Sequence, residues 1–231
     1  MVSLVPSLTE AVAATDARLL VGATDWCTHP AGLDVVRVGG TKWPDLERVL
    51  ALAPDLVIAN AEENRAEDVA ALRKAGIGVW MTAPATVDQA LDSLDRLCAA
   101  LDRPHPDWLA EARTAWSDPP SVPPATAVVP IWRRPWMVLG RDTFAGDVLA
   151  RLGLRNVFAG DSDRYPKLAR DDPGAVVADL VVFPDEPYAF TADDGPEAWP
   201  QCRPVFVSGR HLTWYGPSLV EAPALLARQL A

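Results

Sequence analysis

Two α/β lobes with parallel sheets, joined by a single connecting helix and facing each other across a cleft, are the fold that the sequence predicts. Three observations predict it. Apolar runs of strand length alternate with stretches of helical periodicity through both halves of the 231 residues. A helix-turn-strand unit over residues 44–60 has a weaker copy downstream. Asp171 stands 124 residues after Glu47, Asp179-Leu180-Val181-Val182 the same distance after Asp55-Leu56-Val57-Ile58, and Val129-Pro130 the same distance after Val5-Pro6. Pro119, Pro120, Pro123 and Pro124 then mark the clearest boundary in the chain. The lobes are accordingly set at residues 1–104 and 125–231, with a connecting helix and proline-rich linker over 105–124.

In chain order, Val2 to Val5 predicts a first strand, and Ser7-Leu8-Thr9-Glu10 fits a capping box that opens a helix. Leu20 to Thr24 predicts a second strand, emptying into Asp25-Trp26-Cys27-Thr28-His29-Pro30, and Val36 to Val38 a short extended piece. In the organising unit Leu46, Val49, Leu50 and Leu52 recur at helical spacing, Pro54-Asp55 stops the helix, and Leu56-Val57-Ile58 reads as a buried strand. Val69 and Leu72 mark an amphipathic helix that Gly76 ends, Ile77 to Met81 a strand, and Val87, Leu91, Leu94, Leu97 and Leu101 a helix over 87–101. Residues 107–117 form the connecting helix. In the second lobe, strands are predicted over 127–129, 137–139 and 204–207, with further apolar pieces over 156–158 and 180–183. A helix over 144–152 is closed by Gly153, and residues 217–230 form a terminal helix with Leu219, Val220, Leu225 and Leu226 inward.

The bulk numbers exclude several classes of function. A net charge of −10 repels phosphate backbones, so nucleic acid is not expected as a partner. No apolar run approaches the roughly 18 residues of a membrane span. Cys27, Cys98 and Cys202 are widely spaced and odd in number, which points to buried free thiols and gives no C-x-x-C pair. Met1 is followed at once by strand-like residues without a charged n-region or apolar h-region. Location is therefore left open between a cytoplasmic protein and one whose export signal was removed. The chain is expected to be a monomer.

No G-x-S-x-G, H-E-x-x-H or phosphate-loop pattern is present, and the chain is expected not to be an enzyme. The informative residue is tryptophan, at nine against three Tyr and five Phe, because a large ring outside a core is costly unless it has something to stack on. Trp26, Trp43, Trp132, Trp136 and Trp214 all fall in predicted strand-end loops, where open α/β sheets bind ligands. Trp80, Trp108 and Trp116 are expected to pack. Glu63, Arg210 and Tyr215 lie in the same set of loops, and Arg133, with Arg134 beside it, can pair with anionic groups on a ligand. His29 and His211, one in each lobe, are the candidate metal contacts. They either join a carboxylate around a bare zinc or manganese ion or supply an axial bond to a metal held in a macrocycle.

Residues 2–10, 21–24 and the run from Pro44 to Ile58 resemble the vitamin B12-binding and iron-siderophore-binding proteins of ABC importers, the helical-backbone metal receptors or class III substrate-binding proteins. The resemblance implies two Rossmann-like lobes and a cleft for a metal chelate such as a corrinoid, haem or ferric siderophore. It implies no intrinsic cofactor, a periplasmic or cell-surface location, and docking on a permease through one acid from each lobe. Glu47 matches the first acid, and Asp171 holds the second position. A cytoplasmic corrinoid sensor, or an enzyme that has reused the fold, is the alternative.

Overall fold

Each half of the chain builds its own parallel sheet. The structure, a computed structural model, describes residues 1–168 and 172–231. It divides into one unit of Met1–Ala83, Leu91–Ala110 and Tyr215–Pro217 and a second of Pro84–Ala90, Glu111–Trp214 and Ser218–Ala231.

The first unit holds β1 (Val2–Ser3), α1 (Pro6–Asp16), β2 (Gly22–Ala23), β3 (Val36–Arg37), α2 (Leu46–Ala51), β4 (Leu56–Asn60), α3 (Ala66–Lys74) and β5 (Gly78–Thr82). Its five strands run parallel in the order β3-β2-β1-β4-β5. Val57, Ile58 and Ala59 of β4 are wholly buried, as befits a strand covered on both faces. Val2, Leu4, Val38, Val49, Val57 and Leu72 form the core, with Leu46, Leu52, Ile77 and Val79 against it. Asp45 caps α2 by accepting from the Arg48 N–H at 3.0 Å, and Gly76 follows α3 at φ +85°, a left-handed position that suits glycine at a helix end. The predicted helices over 87–101 and 107–117 are α4 (Val87–Ala100) and α5 (Asp107–Ser117).

The second unit repeats the plan. It holds β6 (Ala125–Val128), β7 (Pro130–Trp132), β8 (Met137–Val138), α6 (Phe144–Arg151), β9 (Leu154–Asn156), β10 (Leu180–Pro184), β11 (Arg203–Val207), α7 (Gly209–Thr213) and α8 (Ala222–Leu230). The parallel sheet runs β11-β10-β6-β9. This is the order of β5-β4-β1-β2, and β10 begins and ends 124 residues after β4. The core is aromatic: Phe183, Phe190, Trp136 and Trp199 pack with Val128, Val138 and Val181.

Four local expectations are corrected. Helix α1 starts at Pro6 with Val5 as its cap and no side-chain capping bond, so Ser7 and Glu10 lie within the helix and are buried. Proline, with its fixed φ and no N–H to satisfy, starts the helix before Ser7 can cap it. Leu50 is exposed, because the core-facing stripe of α2 runs through Leu46 and Val49. β7 and β8 pair antiparallel as a hairpin, an exception to the parallel plan. The terminal helix is interrupted: residues 217–220 form a 3-10 turn, and α8 starts afresh at Ala222 with Pro223 in its first turn, where its missing N–H costs nothing.

Candidate functional site

At the carboxyl ends of the first sheet, two asparagines shape the loops. Asn60 ends β4, and its side-chain oxygen accepts from the Glu62 and Glu63 N–H groups at 2.7 and 3.3 Å. Asn64 accepts from the Asn60 N–H at 2.8 Å and donates to the carbonyls of Leu4 and Thr41 at 3.2 and 3.0 Å. One buried pair of amides thus ties the end of β1, the loop before α2 and the loop after β4. Sequence reasoning singled out neither asparagine. The available signal was an asparagine closing an apolar strand run with a second one four residues on.

Two indoles stand out from this scaffold. Trp26, in the loop after β2, is 66% exposed and lies over Gly40, while Trp43 is 71% exposed. The Arg65 guanidinium covers Trp43 at 3.8 Å and is itself gripped by Asp68 at 2.8 and 2.6 Å. Lys42 donates to the Glu62 carbonyl. Glu63 is half-buried in the same loop. Tyr215 is in the interior of this unit, where its hydroxyl accepts from the Asn60 amide at 2.7 Å and pairs with the Thr82 hydroxyl at 2.8 Å. Burial pushes the phenol well above its ordinary value, and the charge of Glu63 adds to that shift. Its ring and hydroxyl hold the strand ends together.

In the second unit Trp132, at the end of β7, is 44% exposed and meets Tyr188 in a T-shaped contact at 5.7 Å. Arg133 is engaged internally, paired with Asp194 and with Glu197 at 2.6 Å, and the Tyr188 hydroxyl donates to Asp194 at 2.6 Å. Trp136 differs from the expectation of a ring open to ligand. It is buried, stacked on Phe190 and edge-on to Trp199, because the hairpin turn folds back onto the core. Trp214 is likewise buried, with Arg210 above it at 6.0 Å, and Arg210 also lies 3.5 Å from Glu221. Trp116 is buried with its indole donating to the Leu219 carbonyl at 2.9 Å, and Trp80 and Trp108 are half-buried, as packing residues should be.

Glu186 follows β10, and burial pushes its carboxyl above the usual range. Hydrogen bonds with Trp214 and Thr213 oppose the shift, and the neighbouring Asp185 charge adds to it. A folded-state value above the unfolded one of roughly 4.3 favours the native state below that pH, and the contribution is lost as pH rises through the folded value. Glu186→Gln is therefore expected to raise the melting temperature at pH 7 and to flatten its profile between pH 4 and 7. A profile parallel to that of the wild type counts against this reading.

His211 has both ring nitrogens occupied, by the Ser208 hydroxyl at 2.7 Å and Glu221 at 2.8 Å. His29, half-buried in the first unit, is bonded to the Thr28 hydroxyl at 3.1 Å. A metal at His211 has to displace one of its partners, and among the described residues no group of three or more His, Cys, Asp or Glu is arranged to hold an ion. All three cysteines are free and buried, as expected. Glu47 is exposed in the first turn of α2, and Asp171 lies outside the described residues. A groove of about 780 Å³ in the second unit, lined by Gln89, Arg141, Thr143 and Arg155 among others, includes none of the predicted site residues.

A family model described as periplasmic binding protein matches residues 1–186. The vitamin B12-binding protein of Photorhabdus laumondii is 26% identical over a 251-residue alignment covering 100% of this chain and 87% of that protein. Among solved structures, the periplasmic vitamin B12 binding protein BtuF of Vibrio cholerae superposes with a TM-score of 0.73 at 19% identity, over 99% of this chain and 95% of that one. A periplasmic heme binding protein from Pseudomonas aeruginosa gives 0.75 at 24% identity, over 99% and 91%. These structures share the fold, and with the family model spanning well over half of its length the chain belongs to the periplasmic binding protein family.

Proposed function

We propose that this chain is a solute-binding protein for a metal chelate, a cobalamin-like corrinoid before haem or a ferric siderophore. It takes the chelate against the strand-end indoles of its units and hands it, unchanged, to an ABC transporter permease. The observation that carries the reading is the exposure of Trp26, Trp43 and Trp132 at strand ends, while the other six tryptophans are buried or half-buried. Rings this open gain little in the free protein and much from a broad apolar face laid on them. The similarity to vitamin B12-binding and heme-binding proteins supports the same class of ligand. Glu47 and Asp171 are the proposed docking acids, and the protein acts as a monomer with no cofactor of its own.

Titration with cyanocobalamin, haemin and a ferric siderophore tests the reading. At least one is expected to bind below about 10 μM, close to −7 kcal/mol. Trp26→Ala and Trp132→Ala are each expected to weaken that binding by about 1–3 kcal/mol without lowering the melting temperature. Failure of every chelate to bind overturns the proposal. An unchanged affinity in both variants removes the indoles from it.

A further inference from the structure

Three of the bases beside the open indoles, Arg65, Lys42 and Arg133, are already engaged within their own units. Arg65 is held by Asp68 and, at 3.3 Å, by Glu67, and Lys42 is held by a backbone carbonyl. Arg133 is held by two carboxylates, Asp194 and Glu197, and Asp194 accepts a further bond from Tyr188. Arg134, exposed at the hairpin turn, and Lys167, exposed and bridged to the Met137 that pairs with Trp132, are the bases near these rings without such a partner among the described residues. Carboxylates outnumber bases on the same loops: Asp25 is exposed beside Trp26, Glu62 and Glu63 follow β4, and Asp193 is exposed beside the acids that grip Arg133. Around the rings carboxylates thus outnumber the bases left available, Arg134 and Lys167.

We propose that these loops, each within its own unit, favour a metal chelate whose faces are broad and apolar and whose rim is neutral or cationic, and that they discriminate against chelates with anionic rims. The inference rests on the chelate-binding reading above and narrows it. An anionic rim meets net negative loops, and can recruit Arg133 only by pulling it from Asp194 and Glu197 and leaving those acids unpaired. A rim of carboxamides instead brings N–H donors to acceptor-rich loops and disturbs none of these pairs. The internal ion pairs work by rejecting the wrong ligand as well as by accepting the right one.

The test compares cyanocobalamin, with its neutral carboxamide rim, against haemin, with its propionate rim, by quenching of tryptophan fluorescence. The wild type is expected to bind cyanocobalamin at least about tenfold tighter than haemin, and haemin binding is expected to strengthen as salt screens the acidic loops. Asp194→Asn with Glu197→Gln frees Arg133 and is expected to tighten haemin about tenfold while moving cyanocobalamin by less than about threefold. Should the double variant fold poorly, Glu197→Gln alone, at a half-exposed position, is expected to move haemin in the same direction. Tighter haemin than cyanocobalamin binding in the wild type, or indifference of haemin to these substitutions, overturns the selection while leaving chelate binding standing. Binding of neither chelate overturns both.

Discussion

Asn60→Ala is expected to destabilise the protein by about 3–5 kcal/mol, read as a lower urea midpoint at unchanged slope. The substitution leaves the β4 backbone in place and strips partners from three groups at once. The Glu62 and Glu63 N–H groups lose the oxygen that turns the loop, and the buried Tyr215 hydroxyl loses the amide that donates to it. Each group left without a partner costs about 1–3 kcal/mol, most where it is fully buried, and Tyr215 keeps its bond with Thr82 as partial compensation. Adding Tyr215→Phe completes a double-mutant cycle. The two losses are expected to fall short of additive by about 1 kcal/mol or more, since they share a bond. A loss below about 1 kcal/mol for Asn60→Ala means that the loop after β4 is solvated and that the asparagine does not organise it.

The plan of the fold was legible because it rests on signals that act locally and repeat. The apolar run of β4 and its copy in β10 are each bounded by Pro-Asp or Ala-Asp before and a polar loop after, so the 124-residue offset located both strands. The amphipathic stripe of α4 set that helix to within a residue, and the proline cluster that follows α5 bounded the other. What escaped was decided by tertiary contact. The β7–β8 hairpin is short, begins at Pro130 and carries Pro135 within its turn, and gains its order from Trp136 docking on Phe190 and Trp199, which no spacing announces. Helix α7 has only five residues and follows a strand directly, so Arg210 and His211 read as loop.

The site was legible in part for the same reason. Tryptophan count and placement near strand ends identified Trp26, Trp43 and Trp132, which stand open, but could not separate them from Trp136 and Trp214, which fold inward. Whether a loop indole faces solvent depends on what the loop packs against, and that partner is distant in sequence. The arginines illustrate the converse. Arg133 was read by its charge alone, whereas Asp194 and Glu197, some sixty residues on, consume that charge.

Gly140→Ala carries the second large effect, and it follows from space rather than conformation. A Cβ on Gly140 falls 2.2 Å from the Asp163 carbonyl oxygen, 2.7 Å from the Pro166 ring and 3.0 Å from the Arg164 carbonyl oxygen. Two of these are backbone atoms, and the segment that carries them is fixed: Gly140 donates to the Arg164 carbonyl at 2.8 Å, Val138 to that of Pro166 at 3.0 Å and Leu168 to that of Trp136 at 2.9 Å. Relief therefore requires breaking the rungs that hold residues 163–168 against β8, and the expected cost exceeds about 3 kcal/mol. Gly160→Ala is the matched control, since a Cβ there meets nothing within 4 Å, and it is expected to change stability by less than about 0.5 kcal/mol. Because β8 pairs with β7, the strand that presents Trp132, the strain at Gly140 also reaches the proposed ligand face. Gly140→Ala is accordingly expected to weaken chelate binding more than its loss of folded protein explains, whereas affinity intact in the folded fraction separates the packing of this segment from the placement of Trp132.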